Sequence, residues 1–297
     1  MRFEIVTIFP GFFAGIFENG ILRRALAEEL VTVGLHDLRV FTHDRHRTVD
    51  DRPFGGGEGM VLKAEPLAEA LASLGIGPKA VSEKCQGTTS VVPPMPQNDA
   101  GALAPEGEPL AQRPTVILLS AQGQRFTQAV ARELSRIDRV VLICGRYEGV
   151  DERINQLYCD MELSIGDYVL SGGELAAAVV MDATMRLIPG VLGNEASGEF
   201  ESFGVTDAEI TSDTQGVPRS QHGAGGLLDY PHYTRPAEFG GLRAPEVLMN
   251  GDHHEIRRWR RKQQLRKTLA NRPDLLEGAA LSAEDRLLLE SIKQEEC

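Results

Sequence analysis

The chain has 297 residues, 42% of them apolar, which is enough to bury a sizeable core in two domains of ordinary size. Charged residues make up 25%, and this composition excludes collagen, coiled-coil and wholly disordered proteins. The formal net charge of −12 argues at first sight against a nucleic-acid partner, because phosphate binding needs local positive charge.

The cysteines and apolar runs favour a cytoplasmic protein without a membrane partner. Cys85, Cys144, Cys159 and Cys297 form no C-x-x-C pair, so we expect free thiols rather than a zinc ribbon or a disulfide scaffold. The best apolar stretch, residues 175–181, is too short to span a membrane. The N-terminus has no signal-peptide pattern.

The first 75 residues predict two strands and two helices around a polar loop. Phe3–Ile8 is β-branched and aromatic-rich, which favours a strand, and Phe12–Leu30 has apolar residues at helical spacing. Leu38–Phe41 is a second short strand candidate. A polar, Gly-rich loop follows over Thr42–Gly59, and Pro66–Leu74 is predicted to be a helix.

The middle of the chain predicts a parallel sheet. Residues 85–114 contain six prolines and indicate an exposed insertion or linker. Thr115–Leu119 and Val140–Cys144 are fully apolar strands, and Gln124–Ser135 between them is predicted to be a helix. Continuous apolar strands that alternate with helices are typical of a parallel sheet covered on both faces.

The C-terminal third predicts a long polar linker and then helices. Glu174–Leu187 is strongly helical, whereas residues 193–226 are polar, Gly-rich and without periodicity. From Pro245 onward the pattern is helical, and Ser282 is the expected start of the last helix.

These elements predict an α/β fold class with a small all-helical C-terminal domain. The expected boundaries are an α/β domain over residues 1–192, a flexible linker over 193–234 and a helical domain over 235–297. Such a division agrees with the number of domains that the length favours.

Residues 41–60 combine three arginines with a glycine triplet. Arg45, Arg47 and Arg52 could neutralise phosphates, and Gly55–Gly57 would let the backbone approach a phosphate or a base. On composition alone, a solvated charged loop is an equally good interpretation. No dinucleotide fingerprint and no P-loop motif occurs in the sequence.

His43 and His46 lie in the same stretch at a spacing of three residues. That spacing is weak evidence for a metal site when no further ligand accompanies it, so we predict no bound metal there.

Three Gly-bearing loops follow strands or precede a helix. They are Leu119–Gln124, Cys144–Gly149 and Ser164–Glu174. Ligands of open α/β sheets bind outside the carboxyl ends of the strands, so these loops could together hold a small ligand with a flat ring. The alternative for each loop taken singly is an ordinary tight turn.

A basic segment interrupts the acidic C-terminal third. Residues 255–267 hold seven Lys or Arg and one Glu, and they include the single tryptophan, Trp259. A basic helix with an interleaved aromatic suits a nucleic-acid backbone, although an amphipathic surface helix has the same pattern. Most of the acidity lies elsewhere: residues 194–216 carry −6, and residues 274–297 carry −5. The argument from net charge against nucleic acid therefore fails.

Six strings in this order resemble the bacterial tRNA (guanine-N1)-methyltransferase (TrmD) family: FTHDRHRTVDDRPFGGGEGM, CGRYEGVDER, SIGDYVLSGGEL, RLIPGVLG, GLLDYPHYTRP and HHEIRRWRRKQ. The resemblance covers nearly the whole chain, and only residues 85–114 and 204–225 look foreign to it. It implies the SPOUT fold with a deep trefoil knot, an exception to the rule that folds are unknotted. It also implies a homodimer with shared active sites, and methyl transfer from S-adenosylmethionine to N1 of guanosine 37 in tRNA.

The resemblance assigns binding residues to this chain. Those implied for S-adenosylmethionine are Leu119, Ser120, Gly123, Gly145, Arg146, Tyr147, Glu148, Ile165, Gly166, Asp167, Tyr168, Val169, Leu170, Gly172 and Gly173. Those expected to contact tRNA are Arg45, Arg47, Arg52, Arg257, Arg258 and Arg261. Ala121 stands where many members have Pro, a change that backbone contacts should survive. The family also implies Mg²⁺, and whether this chain requires it stays open.

The chemistry implied by the resemblance needs a base and a cation. N1 of guanine carries a proton, so a general base must remove it, and a guanidinium can stabilise the charge that develops on O6. The family's arginine corresponds to Arg186, and its linker aspartate corresponds to Glu201. The extra methylene of a glutamate shifts the carboxylate by about one bond. Asp207 is a rival for the base if the register of the linker differs.

Two other functions stay open from the sequence. One is a knotted ribose 2′-O-methyltransferase, which would not need a linker carboxylate. The other is a non-catalytic RNA-binding or ribosome-associated protein that only holds a nucleotide-like ligand, against which the pairing of Arg186 with a linker carboxylate argues.

Overall fold

The computed structural model describes residues 1–79, 113–193, 201–204 and 225–295. It divides into two compact units, Met1–Val191 and Leu192–Cys297. Within the described residues, no helix is long and apolar enough to cross a membrane.

The first unit is built on a five-stranded sheet in which every neighbouring pair is parallel. The strands are β1 (Arg2–Thr7), β2 (Thr32–Asp37), β5 (Thr115–Arg125), β6 (Arg139–Cys144) and β7 (Met161–Ser164), in the order β2-β1-β6-β5-β7. A separate antiparallel pair consists of β3 (Asp50–Asp51) and β4 (Val61–Leu62).

Helices cover both faces of this sheet, as the apolar strands predicted. The helices of the first unit are α1 (Ala14–Phe17), α2 (Gly20–Ala27), α3 (Ala64–Ser73), α4 (Gln128–Leu134), α5 (Glu152–Tyr158) and α6 (Glu174–Met185). Alternate strand residues enter two different cores: Ile117 packs with α4 and α6 residues, whereas Leu118 packs with α3 and α5 residues. The two cores show that the strands are buried on both sides.

Three element predictions within the first unit need correction. The helix predicted over Phe12–Leu30 is broken, because Asn19 is extended (φ −130°, ψ 156°) between the end of α1 and Gly20, the first residue of α2, which itself has a φ of +64°. The strand predicted over Leu38–Phe41 is wrong: these residues form a 3₁₀ helix that begins where the Asp37 side chain accepts a hydrogen bond from the Arg39 N–H.

The third correction concerns the helix predicted over Gln124–Ser135. Gln124 and Arg125 remain in β5 and pair with Leu163 and Ser164 of β7. The helix begins only after Thr127, whose side chain accepts a hydrogen bond from the Val130 N–H.

The second unit is mostly helical after Pro245. Its helices are α7 (His253–Asn271), α8 (Asp274–Glu277) and α9 (Ala283–Glu295), and a 3₁₀ helix spans Glu246–Leu248. A short hairpin of β8 (Glu238–Phe239) and β9 (Leu242–Arg243) precedes them, so the domain predicted from residue 235 is not entirely helical. Ser282 and Asp285 exchange backbone-to-side-chain hydrogen bonds at the start of α9, which confirms the predicted helix start.

Candidate functional site

The three Gly-bearing loops meet at the carboxyl edge of the sheet. Their strands are adjacent or nearly so, and Leu119 of β5 stands beside Cys144 of β6 in register. Together the loops line a cavity of about 340 Å³, which falls in the size range of small-molecule sites. All the residues expected to bind S-adenosylmethionine line this cavity except Gly123 and Asp167.

Main-chain bonds hold two of these loops against each other. The Gly173 N–H donates to the Gly145 carbonyl over 2.8 Å, and Arg146 forms an antiparallel bridge with Gly172. A Cβ on Gly173 would lie 2.7 Å from Cα of Cys144, so only glycine permits this approach. The glycines thus shape the cavity by letting backbones touch.

Gly123 and Asp167 have other surroundings. A Cβ on Gly123 would lie 2.5 Å from the backbone of Glu162 and Leu163, so this glycine lets β5 pass directly over β7. Asp167 is exposed and pairs with Arg125 at 2.6 Å.

The sequence reasoning missed a buried carboxylate behind the cavity. Glu174, the first residue of α6, is 1% exposed and accepts a hydrogen bond from the Thr7 hydroxyl at 2.7 Å. Its Oε2 also lies 3.1 Å from both Nε and Nη2 of Arg146. The Arg146 guanidinium in turn lies 4.5 Å from the centroid of the Phe9 ring. An acidic residue at a helix start that follows two glycines was the available signal.

Burial, together with the nearby Glu174 charge, raises the pKa of the Cys144 thiol well above its ordinary value. This thiol therefore stays protonated and belongs to the wall of the core beneath the loops.

The sequence reasoning also missed further residues that line the cavity. They come from the strand ends and from the residues beside the predicted loops: Leu118, Val150, Glu152, Glu162, Leu163 and Ala176. Ala121, Gln122, Gly149, Ser164 and Ser171 also line the cavity and lie within the predicted loops. The rule that ligands bind beyond the carboxyl ends of strands could have predicted Leu163, which lies at the end of β7.

The arginine-bearing loop borders the cavity loops through its glycines. The Glu148 N–H donates to the Met60 carbonyl, and a Cβ on Gly59 would lie 2.4 Å from the Glu148 side chain. Arg45, Arg47 and Arg52 on the same loop are exposed. The loop therefore presents cations near one wall of the cavity.

Two histidines of this loop have separate surroundings. His43 pairs with Glu69 at 2.9 Å, and His46 is exposed. Among the residues that the structure describes, no three His, Cys, Asp or Glu side chains converge as metal ligands.

Arg186 and Glu201 fall in different compact units. Arg186 caps the carboxyl end of α6, and the 12 residues from Glu174 correspond to about 18 Å along the helix. Asp207, the rival for the base, lies outside the described residues.

Glu201 begins a short turn that is fastened to the basic helix within the second unit. The Gly204 N–H donates to the Glu201 carbonyl, and the Phe203 N–H donates to Leu227. Leu227 is fully buried against Leu265 of α7. This packing ties the turn that carries Glu201 to α7.

The basic helix α7 uses several of its cations within the protein. Arg261 makes two hydrogen bonds to Asp285 of α9, at 2.7 and 3.0 Å. Arg258 lies 3.8 Å from Glu284, and both Lys262 and Arg266 pair with Glu295. The acidic helix α9 therefore offsets much of the local positive charge that the sequence showed.

The Arg261–Asp285 pair is largely shielded from water. Burial alone would raise the pKa of Asp285, but the hydrogen bonds from Arg261 and Ser282 outweigh it and hold that pKa below its ordinary value. The predicted tRNA contact Arg261 thus points to α9, whereas Arg257 and Arg258 are exposed.

Comparisons with known proteins agree on one family. The model of the family described as tRNA (Guanine-1)-methyltransferase TrmD matches residues 1–106 and 91–278, and the two stretches overlap within the first Pro-rich segment. A protein from Koribacter versatilis named tRNA (guanine-N(1)-)-methyltransferase is 50% identical over 293 residues, which cover 99% of this chain and 98% of its own. Proteins of the same name from Dehalococcoides mccartyi and Dictyoglomus turgidum are 45% and 44% identical, each over 98% of its own length.

Proposed function

The chain belongs to the tRNA (guanine-N1)-methyltransferase family, and from this premise we propose that it transfers a methyl group from S-adenosylmethionine to N1 of guanosine 37 in tRNA. The observation that carries the proposal is the cavity in which the three loops implied for S-adenosylmethionine converge. Family membership supports the reaction class, and the methylated position is our inference.

The cavity suits S-adenosylmethionine in size and lining. When bound, this cosubstrate supplies an activated methyl group on a sulfonium. Main-chain groups of Gly145, Gly172 and Gly173 border the space that its adenosine would fill, and Ile165 and Leu170 add apolar surface. Ala121 lines the same wall, so its difference from Pro leaves the backbone in place.

Glu201 acts as the general base in this proposal, and Arg186 stabilises O6. Removal of the N1 proton by the carboxylate raises electron density on the guanine ring, and the guanidinium offsets the charge that develops on O6. No described cluster of oxygen ligands fits Mg²⁺, so no step here uses that ion.

A homodimer would complete the site. The far end of α6 separates Arg186 from the cavity end of its own helix by about 18 Å. A 3₁₀ helix over Pro10–Phe13 packs against α6. Half-exposed apolar side chains lie on these elements and at the cap of the 3₁₀ helix: Phe9, Phe12, Leu175 and Val179. Such surface favours a second copy of the chain as the partner.

The tRNA contacts of this proposal are Arg257 and Arg258 on α7 and Arg45, Arg47 and Arg52 on the Gly-rich loop. All five are exposed, as phosphate contacts require. We assign Arg261 a structural role instead, because both sides of its guanidinium fork bond to Asp285.

The knot, the linker and the location also belong to this proposal. The close passage at Gly123 and the return of residues 165–173 to the loop at 145 support a chain that threads through itself. We further propose that residues 193–234 act as the linker, that 235–297 serve as the tRNA-binding domain and that the enzyme works in the cytoplasm.

Transfer of label from S-adenosylmethionine to two tRNA transcripts tests the function. A transcript with guanosine 37 should accept one methyl group, and the same transcript with adenosine 37 should accept none. If neither accepts label, the chain is a binding protein rather than an enzyme.

Single-turnover methylation tests the base. Glu201→Gln should slow the chemical step by about 10²-fold or more, because catalysis by a positioned base contributes on that scale. Asp207→Asn is the matched control in the same linker. Unchanged chemistry in Glu201→Gln together with slow chemistry in Asp207→Asn would move the role to Asp207.

A further inference from the structure

Few main-chain hydrogen bonds connect two of the loops that line the cofactor cavity. Residues 145–149 and 165–173 touch through one antiparallel bridge and one hydrogen bond from Gly173 to Gly145. A cavity between such loops keeps its shape only if side chains fix them to the sheet.

One closed circuit of contacts, formed by Thr7, Glu174, Arg146 and Phe9, fixes these loops to the sheet. Thr7 ends β1, and its hydroxyl donates to Oε1 of Glu174. Glu174 binds Arg146, the second residue after β6, through its other oxygen. The Arg146 side chain crosses directly over Gly172, where a Cβ would lie 2.2 Å from Nε.

The end of β1 is fixed by the same hydroxyl. Thr7 Oγ1 accepts a hydrogen bond from the Phe9 N–H at 3.0 Å, and the Phe9 ring lies beneath the Arg146 guanidinium. One hydroxyl thus bonds both the carboxylate and the main chain of the aromatic residue that contact Arg146.

We propose that Thr7 and Glu174 are positioning residues for S-adenosylmethionine. They act through Arg146, which lines the cavity, whereas neither Thr7 nor Glu174 lines it. The inference rests on the proposed use of the cavity for this cosubstrate. It predicts that the circuit sets affinity for S-adenosylmethionine and leaves the methyl transfer step and tRNA affinity alone.

Removal of the Thr7 hydroxyl tests this directly. Thr7→Val keeps the shape of the side chain, and we expect it to raise the dissociation constant for S-adenosylmethionine by about 5- to 20-fold in calorimetry without tRNA, since a hydrogen bond to a charged group is lost. Thr7→Ser keeps the hydroxyl and should bind within about twofold of wild type. Glu174→Gln, which also removes the charge opposite Arg146, should weaken binding at least as much as Thr7→Val.

Thr184 offers a matched control on the far half of α6. It is fully buried, and its hydroxyl has no hydrogen-bond partner among the described residues. Thr184→Val therefore makes the same chemical change without breaking the circuit, and binding should stay within about twofold.

Kinetics separate positioning from a general loss of structure. Thr7→Val should raise KM for S-adenosylmethionine while kcat and KM for tRNA stay within about twofold of wild type. The inference is overturned if Thr7→Val binds like Thr184→Val, or if Thr7→Ser is as weak as Thr7→Val. If the wild-type chain itself fails to bind S-adenosylmethionine, the proposed function fails and this inference fails with it.

Discussion

Each compact unit contains an ion pair between an arginine and a carboxylate that lies in the first turn of a helix. Arg146 meets Glu174 beside the cavity, and Arg261 meets Asp285 between α7 and α9. Both carboxyl side chains are nearly buried, at 2% and 6% exposure. The first pair joins loops around a space for a ligand, whereas the second joins two helices.

The contrast shows that the partner of an arginine decides what the arginine can do. The sequence marks Arg146 and Arg261 alike as cations in functional strings. In the structure Arg146 lines the cavity, whereas Arg261 lies between α7 and α9. The acidic residues among the last 24 mask the positive charge of α7 in the net charge of the chain. They also form ion pairs with cations of that helix.

The largest expected effect is the loss of folding stability in the second unit when Asp285 is replaced. Asp285→Asn leaves Arg261 largely buried without its counter-charge, and removal of one partner from a buried pair costs about 3 kcal/mol or more. Trp259 on α7 is the single tryptophan, so its fluorescence in urea reports this unit within the full chain. Asp274→Asn, which breaks the exposed pair with Arg272, should destabilise this unit far less than Asp285→Asn.

The Arg261–Asp285 pair also predicts how folding stability changes with pH. Because the folded-state pKa of Asp285 is lowered, its stabilisation is present above the ordinary aspartate pKa near ~4 and is lost as pH falls through the folded value. The wild-type chain should therefore lose more stability than Asp285→Asn on acidification below pH ~4. Equal acid sensitivity of the two would contradict this role.

The next largest effect is expected at Gly173, where a larger side chain should distort the cavity. Gly173→Ala places a Cβ 2.7 Å from the Cys144 backbone, and overpacking of this kind costs about 2 kcal/mol of folding stability. The loop must shift to relieve the contact, so binding of S-adenosylmethionine should weaken, by at most the roughly 30-fold to which the whole cost corresponds. Gly15→Ala, where nothing lies within 4 Å, is the control and should bind normally. Calorimetry that finds equal affinities would show that the close approach does not shape the cavity.

A smaller effect is expected at Arg257, an exposed cation of α7. Arg257→Gln should weaken tRNA binding by about tenfold, since a hydrogen bond to a charged group is lost, and should reduce the salt slope by about 1. Filter binding over a range of salt measures both quantities. A wild-type affinity that does not fall with salt would count against α7 as a phosphate contact.

The smallest effect concerns the acidic helix. Glu295→Gln removes the charge that engages Lys262 and Arg266, and exposed pairs contribute little, so tRNA should bind only about two- to fivefold more tightly. Glu290→Gln makes the same change of net charge at an exposed position of α9 with no ion pair among the described residues. If the two variants gain equally, net charge rather than release of the cations is the cause.

Much of the fold could be predicted because its signals are local. The apolar strands at Thr115–Leu119 and Val140–Cys144 predicted a parallel sheet, and their carboxyl ends predicted the loops of the cavity. The strand predicted at Leu38–Phe41 failed because a short apolar run does not distinguish a strand from a turn of 3₁₀ helix.

The contacts across the fold could not be predicted in the same way. Thr7 and Glu174 are 167 positions apart, and nothing near either residue signals the other. Arg261 likewise looked like an exposed cation, because its partner Asp285 lies 24 positions further on. Side chains that meet only through tertiary structure leave no periodic pattern to detect.

Identification of the methylated nucleoside tests the central claim most directly. The wild-type chain, S-adenosylmethionine and a tRNA transcript with guanosine 37 are incubated. Mass spectrometry of the nucleosides against synthetic standards identifies the modification, and mass spectrometry of ribonuclease fragments identifies its position. We predict 1-methylguanosine at position 37 as the single methylated product. A 2′-O-methylated ribose, or 1-methylguanosine at another position, would contradict the account.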